Sequence, residues 1–293
     1  MSTSWPPATM RVASVNWNNG GITPSGDDAP WRTTIEVLQS VRPHIVFSQE
    51  LTTPDPGVRL GRHLRRTANA LGMEPALGPV VPGARTALHT GMFIDTRAGF
   101  RIDDVPYLGE HFGGIRHAWC RVELGVPGLP WPVDLCSVHL PARSAPAQES
   151  EAYSLASALA SQRLVLVGGD FNGYARGGPP ITTIELDQLP GHLQVTRCHG
   201  IPGALTPNYT VDDLLTGRGK LIDVAAHLSA ERRQPPDLAE TGTAGGGRID
   251  RFYACPPIAD AVESYQLLRI GSDHRAPFIE INLPQLTALL TVT

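Results

Sequence analysis

Two clusters in this chain combine side chains that hold hard cations, move protons and grip anions. The first is Val165-Leu166-Val167-Gly168-Gly169-Asp170-Phe171-Asn172, and the second is Ser272-Asp273-His274. An apolar run that ends in Gly-Gly and then offers a carboxylate and a carboxamide two residues apart reads as a buried strand with a polar end. That end would hold a hard cation or a phosphate, and the second cluster sets a carboxylate beside an imidazole. Other apolar stretches repeat the pattern. Arg11 to Asn18 terminates in asparagines, Asn16 and Asn18; Ile45 to Glu50 finishes on a lone glutamate. Val133 to Val138 runs into His139, and Arg248 to Tyr253 carries Asp250 near its start. Each β-rich stretch delivers one oxygen- or nitrogen-bearing side chain at its end, which is the equipment for metal-assisted hydrolysis of a phosphate ester.

These six short motifs, in this order over residues 11 to 283, resemble the endonuclease/exonuclease/phosphatase superfamily, the deoxyribonuclease-I-like fold. The resemblance implies an α/β (α+β) architecture: a two-sheet β-sandwich flanked by helices, four layers in all, with the site where strand ends of both sheets meet. It also implies phosphoester hydrolysis with Mg²⁺ or Mn²⁺. By this resemblance Glu50 is the metal ligand, with Asn16 and Asp273 completing or supporting its shell. Asp170 orients the attacking water or helps to hold metal, and Asn172 donates to a phosphoryl oxygen. His274 is a base or a phosphate-binding imidazole, its tautomer set by Asp250. His139, followed by Leu-x-Ala, marks the branch with deoxyribonuclease I, neutral sphingomyelinases, inositol-polyphosphate phosphatases and deadenylase-like enzymes. It would protonate the leaving oxygen or bind a phosphoryl oxygen. Arg116 and Asn18 are further candidates for the substrate phosphate, while His111, His117, Trp17 and Trp31 are candidates for the pocket wall.

The elements that must position these residues read as many short strands and helices. With 293 residues, 30 glycines and 27 prolines, the chain suits short elements joined by turns, and its hydrophobic fraction of 41% supplies a sizeable core. The site residues come from both ends and the middle and no linker divides them, so residues 10–293 are expected to form one domain behind a loose tail, 1–9. A helix is expected to start at Asp28-Ala29-Pro30 and to carry its apolar face over Thr34–Val41, and others over Leu60–Leu71 and Ala147–Gln162, with helical patches near Val211–Leu215 and Leu221–Leu228 and a flexible loop over Thr241–Gly247.

A net charge of −4, with Lys220 the only lysine, gives no global basic field for nucleic acid. A positive groove would have to come from scattered arginines such as Arg116, Arg143 and Arg176, and Arg59, Arg62, Arg65 and Arg66 read as a solvated helix face. The four cysteines show no Cys-x-x-Cys spacing and read as reduced core residues. No apolar run approaches the length of a membrane span, and no signal-like segment opens the chain, so a cytoplasmic location is expected. The expected partner is a phosphate-ester substrate, nucleic acid included, with no obligate protein partner. A phosphodiesterase or nuclease-like activity leads. A phosphomonoesterase acting on a small metabolite or lipid headgroup is the alternative, and an inactive binding scaffold the remote one.

Overall fold

The structure, a computed structural model, describes residues 7–51, 58–78, 88–105, 119–160, 164–178, 180–232, 241–242 and 247–291. Its first four strands are β1 (Thr9–Asn16), β2 (Ile45–Gln49), β3 (Glu74–Leu77) and β4 (Gly91–Ile94). A second group follows: β5 (Arg101–Asp104), β6 (Cys120–Gly125), β7 (Val133–His139) and β8 (Val165–Asp170). A short ribbon, β9 (Cys198–His199) with β10 (Thr206–Pro207), precedes β11 (Ile222–Asp223) and β12 (Asp250–Ala254). The hairpin β13 (Val262–Arg269) and β14 (Arg275–Asn282) comes last. One six-stranded sheet has the order β13-β14-β1-β2-β4-β3, and the other has β11-β12-β8-β7-β6-β5. Each is mixed in the same way: β1 and β2 are parallel in the first, β7 and β8 in the second, and the other pairs are antiparallel.

Successive side chains of a strand point to opposite faces, so one strand feeds two cores. Val12, Ile45 and Phe47 of the first sheet meet Leu135, Leu166 and Phe252 of the second in the central core. Their neighbours Ala13, Val15 and Val46 pack outward against Trp31, Ile35 and Leu38 of the helix Ala29–Val41. On the far side, Val138, Val165 and Val167 cover Ala152, Leu155 and Leu159 of the helix Ala145–Leu159. The result is helix, sheet, sheet, helix, the four-layer deoxyribonuclease-I-like sandwich expected from the motifs. Strands buried on both faces read as continuous apolar runs, which is why the central ones were legible.

Several boundaries move for local reasons. The helix whose start is expected at Asp28-Ala29-Pro30 does begin at Ala29, with Pro30 in its first turn, and it ends where Arg42 turns left-handed (φ 49°). The helix expected from Ala147 begins at Ala145, capped by the Ser144 hydroxyl on the Ala147 N–H. β3 escapes sequence reading because Glu74-Pro75-Ala76-Leu77 lacks β-branched residues and carries a proline, which only an edge strand tolerates. The expected helix over Leu221–Leu228 opens instead as β11, its helical part being Val224–Arg232. β1 starts at Thr9, one residue inside the expected tail, and the Leu283 N–H donates to the Ala8 carbonyl at 3.0 Å. All four cysteines are buried free thiols, and among the described residues no helix is long and apolar enough to cross a membrane.

Candidate active site

Register brings the strand ends together. In the parallel pairs Asn16 lies level with Gln49 and His139 with Asp170, while Asp250 lies opposite Asp170 across the antiparallel β12–β8 pair. The carboxyl ends of β1, β2, β7 and β8 therefore open on one mouth beside the start of β12. Gly168 lets the two sheets close there, and Gly169 lets β7 and β8 pair closely beneath it. A Cβ on Gly168 would sit 2.2 Å from the Phe47 ring across the sandwich, and one on Gly169 would sit 1.9 Å from the Val138 carbonyl oxygen. Ser137 couples the sheets just below the mouth: its hydroxyl accepts from the Ser48 N–H at 3.3 Å and from Gln49 Nε2 at 3.0 Å.

A chain of polar groups crosses that mouth. Glu50 Oε1 lies 3.9 Å from His139 Nε2, and the same nitrogen lies 3.7 Å from Asp170 Oδ2. Asn16 Nδ2 donates to that Oδ2 at 3.2 Å, while its Oδ1 accepts from the Asn18 N–H at 3.0 Å. Both ends of the Asn16 carboxamide are thus engaged, and it props Asp170. Glu50 adopts a left-handed backbone (φ 55°), rare for a glutamate. It is held by a run of left-handed residues, Asn18 to Gly21, of the types that tolerate that conformation. From this run the Asn19 N–H donates to Glu50 Oε2 at 2.9 Å and the Gly20 N–H to the Glu50 carbonyl at 2.7 Å.

Asp170 divides its carboxylate. Oδ1 accepts from the Asn172 N–H at 2.8 Å, an Asx-turn, and Oδ2 faces the mouth. Asn172 is itself left-handed (φ 49°); its Nδ2 donates to the Leu140 carbonyl at 2.9 Å and its Oδ1 accepts from Arg197 at 3.2 Å. Among the described residues the second amide hydrogen of Asn172 meets no acceptor.

His274 Nδ1 and Asp250 Oδ2 are 2.8 Å apart. Burial alone would lower the imidazole pKa, but Asp250 first, and then Asp170 and Asp273, outweigh it and hold His274 at about 10. The pair therefore carries its proton on the imidazole at neutral pH, with Nδ1–H donating. One oxygen each from Asp170 and Asp250 and one nitrogen of His274 lie within 4.8 Å of one another. Thr241 underpins the pair, its hydroxyl accepting from the N–H groups of Ile249 (2.9 Å) and Asp250 (2.8 Å). Thr241 is buried, with 1% of its surface exposed, so this end of the loop expected to be flexible is a fixed part of the site. A cavity of about 350 Å³ opens over Thr241, Asp273 and His274.

The fold thus gathers Asn16, Glu50, His139, Asp170, Asn172, Asp250 and His274. Asp273 sits at the rim, half-exposed, with its Oδ1 4.0 Å from His274 Nε2. Asn18 is exposed and accepts from Asn19 Nδ2, a turn contact. Trp17 and Trp31 are core residues, and Arg66 is more than a solvated charge: its guanidinium lies 3.7 Å above the Trp31 ring. Arg176 is paired with Asp213 at 2.7 Å, which cancels it as groove charge. Arg116, His111 and His117 lie outside the described residues. Sequence reading missed Thr241 and Arg197, since a threonine beside a glycine-rich stretch and one arginine among many carry no local signal.

The donors suit a hard cation. Glu50 and Asp170 present carboxylate oxygens at the mouth and Asp273 adds one at the rim, which matches the oxygen preference of Mg²⁺.

The same fold occurs in known structures. An endonuclease/exonuclease/phosphatase family protein from Bacteroides thetaiotaomicron matches with TM-score 0.63 and 15% identity, covering 94% of this chain and 98% of that one. An AP endonuclease from Archaeoglobus fulgidus matches with TM-score 0.63 and 13% identity, covering 94% and 100%. A mannosyl-6-phosphatase from Bacteroides thetaiotaomicron VPI-5482 matches with TM-score 0.62 and 15% identity, covering 92% and 98%. No family model matches the sequence, and no curated protein does. The likeness to these structures defines a class, the endonuclease/exonuclease/phosphatase fold, at the level of architecture.

Proposed function

We propose that this chain is a divalent-metal-dependent phosphoester hydrolase that cleaves phosphodiesters by direct attack of water. The observation that carries this reading is the convergence of Glu50, His139, Asp170, Asp250 and His274, drawn from both sheets, on one mouth. Glu50, with Asp170 and the rim carboxylate of Asp273 nearby, would hold Mg²⁺ or Mn²⁺; when bound, the ion neutralises charge on the phosphoryl oxygens. Asp170 Oδ2, steadied by Asn16, orients the attacking water and takes its proton. His139 spans Glu50 and Asp170 and keeps the two carboxylates in register. His274 acts as a hydrogen-bond donor. Asp250 receives Nδ1–H, leaving Nε2–H for a phosphoryl oxygen, so transition-state charge meets a fixed cation. The remaining amide hydrogen of Asn172 serves the same oxygens. A carboxamide suits that place because a further carboxylate would repel the anion.

Bis-p-nitrophenyl phosphate, p-nitrophenyl phosphate, oligonucleotides and inositol phosphates, assayed with Mg²⁺, Mn²⁺ and EDTA, test the proposal. Hydrolysis of diesters with either metal is expected, with loss in EDTA and near-abolition in Glu50→Gln without loss of fold, because the amide lacks the charge that attracts the ion. Undiminished turnover in EDTA would remove the metal assignment. Rapid cleavage of a monoester with none of a diester would make the enzyme a phosphomonoesterase.

A further inference from the structure

Arg269 closes β13 and Arg275 opens β14, directly opposite each other in register. Residues so paired share a face of the hairpin, and like charges placed this way repel. Both line the cavity that opens over Thr241, Asp273 and His274. Four arginines elsewhere are neutralised by a carboxylate: Arg66 by Asp28, Arg121 by Asp134, Arg176 by Asp213 and Arg248 by Asp223. Neither Arg269 nor Arg275 has a carboxylate partner among the described residues. Asp273, the one carboxylate in the cavity wall, accepts from the Ser272 hydroxyl at 3.3 Å. The hairpin that carries the pair is pinned. The Gly271 N–H donates to Thr34 Oγ1 at 3.1 Å, the His274 N–H to Ser272 Oγ at 3.2 Å, and the Arg275 N–H to the Thr241 carbonyl at 2.6 Å. A Cβ on Gly271 would lie 2.0 Å from the Pro30 carbonyl oxygen, so only glycine lets the hairpin sit against the helix Ala29–Val41.

Two arginines paired across a pinned hairpin, both lining the cavity beside His274 and neither with a carboxylate partner among the described residues, make a site for a second anion. We propose that Arg269 and Arg275 form a subsite for a phosphate group adjacent to the one that is cleaved, so that the preferred substrate carries at least two phosphates. The proposal rests on the phosphoesterase reading for the first phosphate. Paired forks donate several charge-assisted hydrogen bonds to phosphate oxygens, which a lone lysine would not reproduce. The second phosphate is either the next one along a nucleotide strand or a second ester on a small molecule.

The test compares wild type with R269A/R275A and R269K/R275K on two substrate pairs in Mg²⁺: thymidylyl-thymidine with and without a 5′-phosphate, and a hexose monophosphate against its bisphosphate. Wild type is expected to prefer the two-phosphate member of one pair by about 10- to 100-fold in kcat/KM, the scale of one or two charged hydrogen bonds. The double alanine variant should lose that preference mainly through KM, and the double lysine variant should retain part of it. A preference within the nucleotide pair identifies a strand, and one within the sugar pair a small bisphosphate. No preference in wild type, or one that survives in R269A/R275A, overturns the subsite. Pyrophosphate titrated calorimetrically without divalent metal gives a second readout: binding by wild type that R269A/R275A loses supports the subsite, whereas equal binding, or none by wild type, refutes it. If wild type hydrolyses none of these esters, the phosphoesterase reading fails and the titration alone decides the subsite.

Discussion

His274 and Asp250 form one unit at the residue scale, because a partly buried imidazole and a buried carboxylate 2.8 Å apart each bias the other's protonation. His274→Ala is expected to lower kcat by at least ~10²-fold, the scale for loss of a positioned proton-bearing group. Asp250→Asn should fall in the same direction, and the double variant should lose little beyond the worse single one. Multiplicative losses in the double variant would show that the two work separately. Asp170 shows why a local motif is ambiguous: one oxygen of its carboxylate forms the Asx-turn of an ordinary loop while the other faces the mouth, so a turn and a candidate chemical group share one side chain.

At the scale of elements, the site depends on segments that contribute no reacting group. The Thr241 hydroxyl accepts two backbone N–H groups at the start of β12, and Gly242 bridges to His274. Thr241→Val keeps the shape and removes the acceptor, leaving two buried donors unmet at about 1–3 kcal/mol each. A lower urea midpoint and a fall in kcat are expected together, with Thr241→Ser close to wild type. A Val variant with wild-type stability and turnover would show that the loop only covers the site. This contribution was illegible because a hydroxyl's partner nine residues along the chain follows from how the loop folds back, not from any periodicity.

For the whole molecule, charge and buried histidines set the response to solvent. His44 and His63 are held at about 4 by burial first and then by Arg11 and Arg66 respectively, below the ordinary 6.5. Between pH 6.5 and 4 the unfolded chain binds protons at these two positions that the folded one refuses, so their contribution to stability is full above about 6.5 and falls as pH drops toward 4. Urea midpoints at pH 7.5 and 4.5 should show this drop, and a His44→Asn/His63→Asn variant should show a smaller one. With net charge −4 and Arg176 tied to Asp213, duplex DNA should bind weakly, with a shallow dependence on salt and no sequence preference. Fluorescence anisotropy across a salt series checks this, and tight, steeply salt-dependent binding would contradict it.

What the amino-acid sequence determined by itself was everything written in short-range pattern. Apolar runs marked the central strands, and a polar residue at each strand end marked the candidate site. These survive in one dimension because strand burial repeats every two residues and a strand end lies next to its strand. The tertiary structure alone decided what depends on register and closure. It turned Asn16 toward Asp170, set Thr241 and Arg197 under the candidate site, and brought Arg269 opposite Arg275. Each of these contacts joins residues whose separation is fixed by strand pairing or loop packing, so the energy that selects them belongs to the folded assembly and leaves no mark on neighbouring residues in the chain.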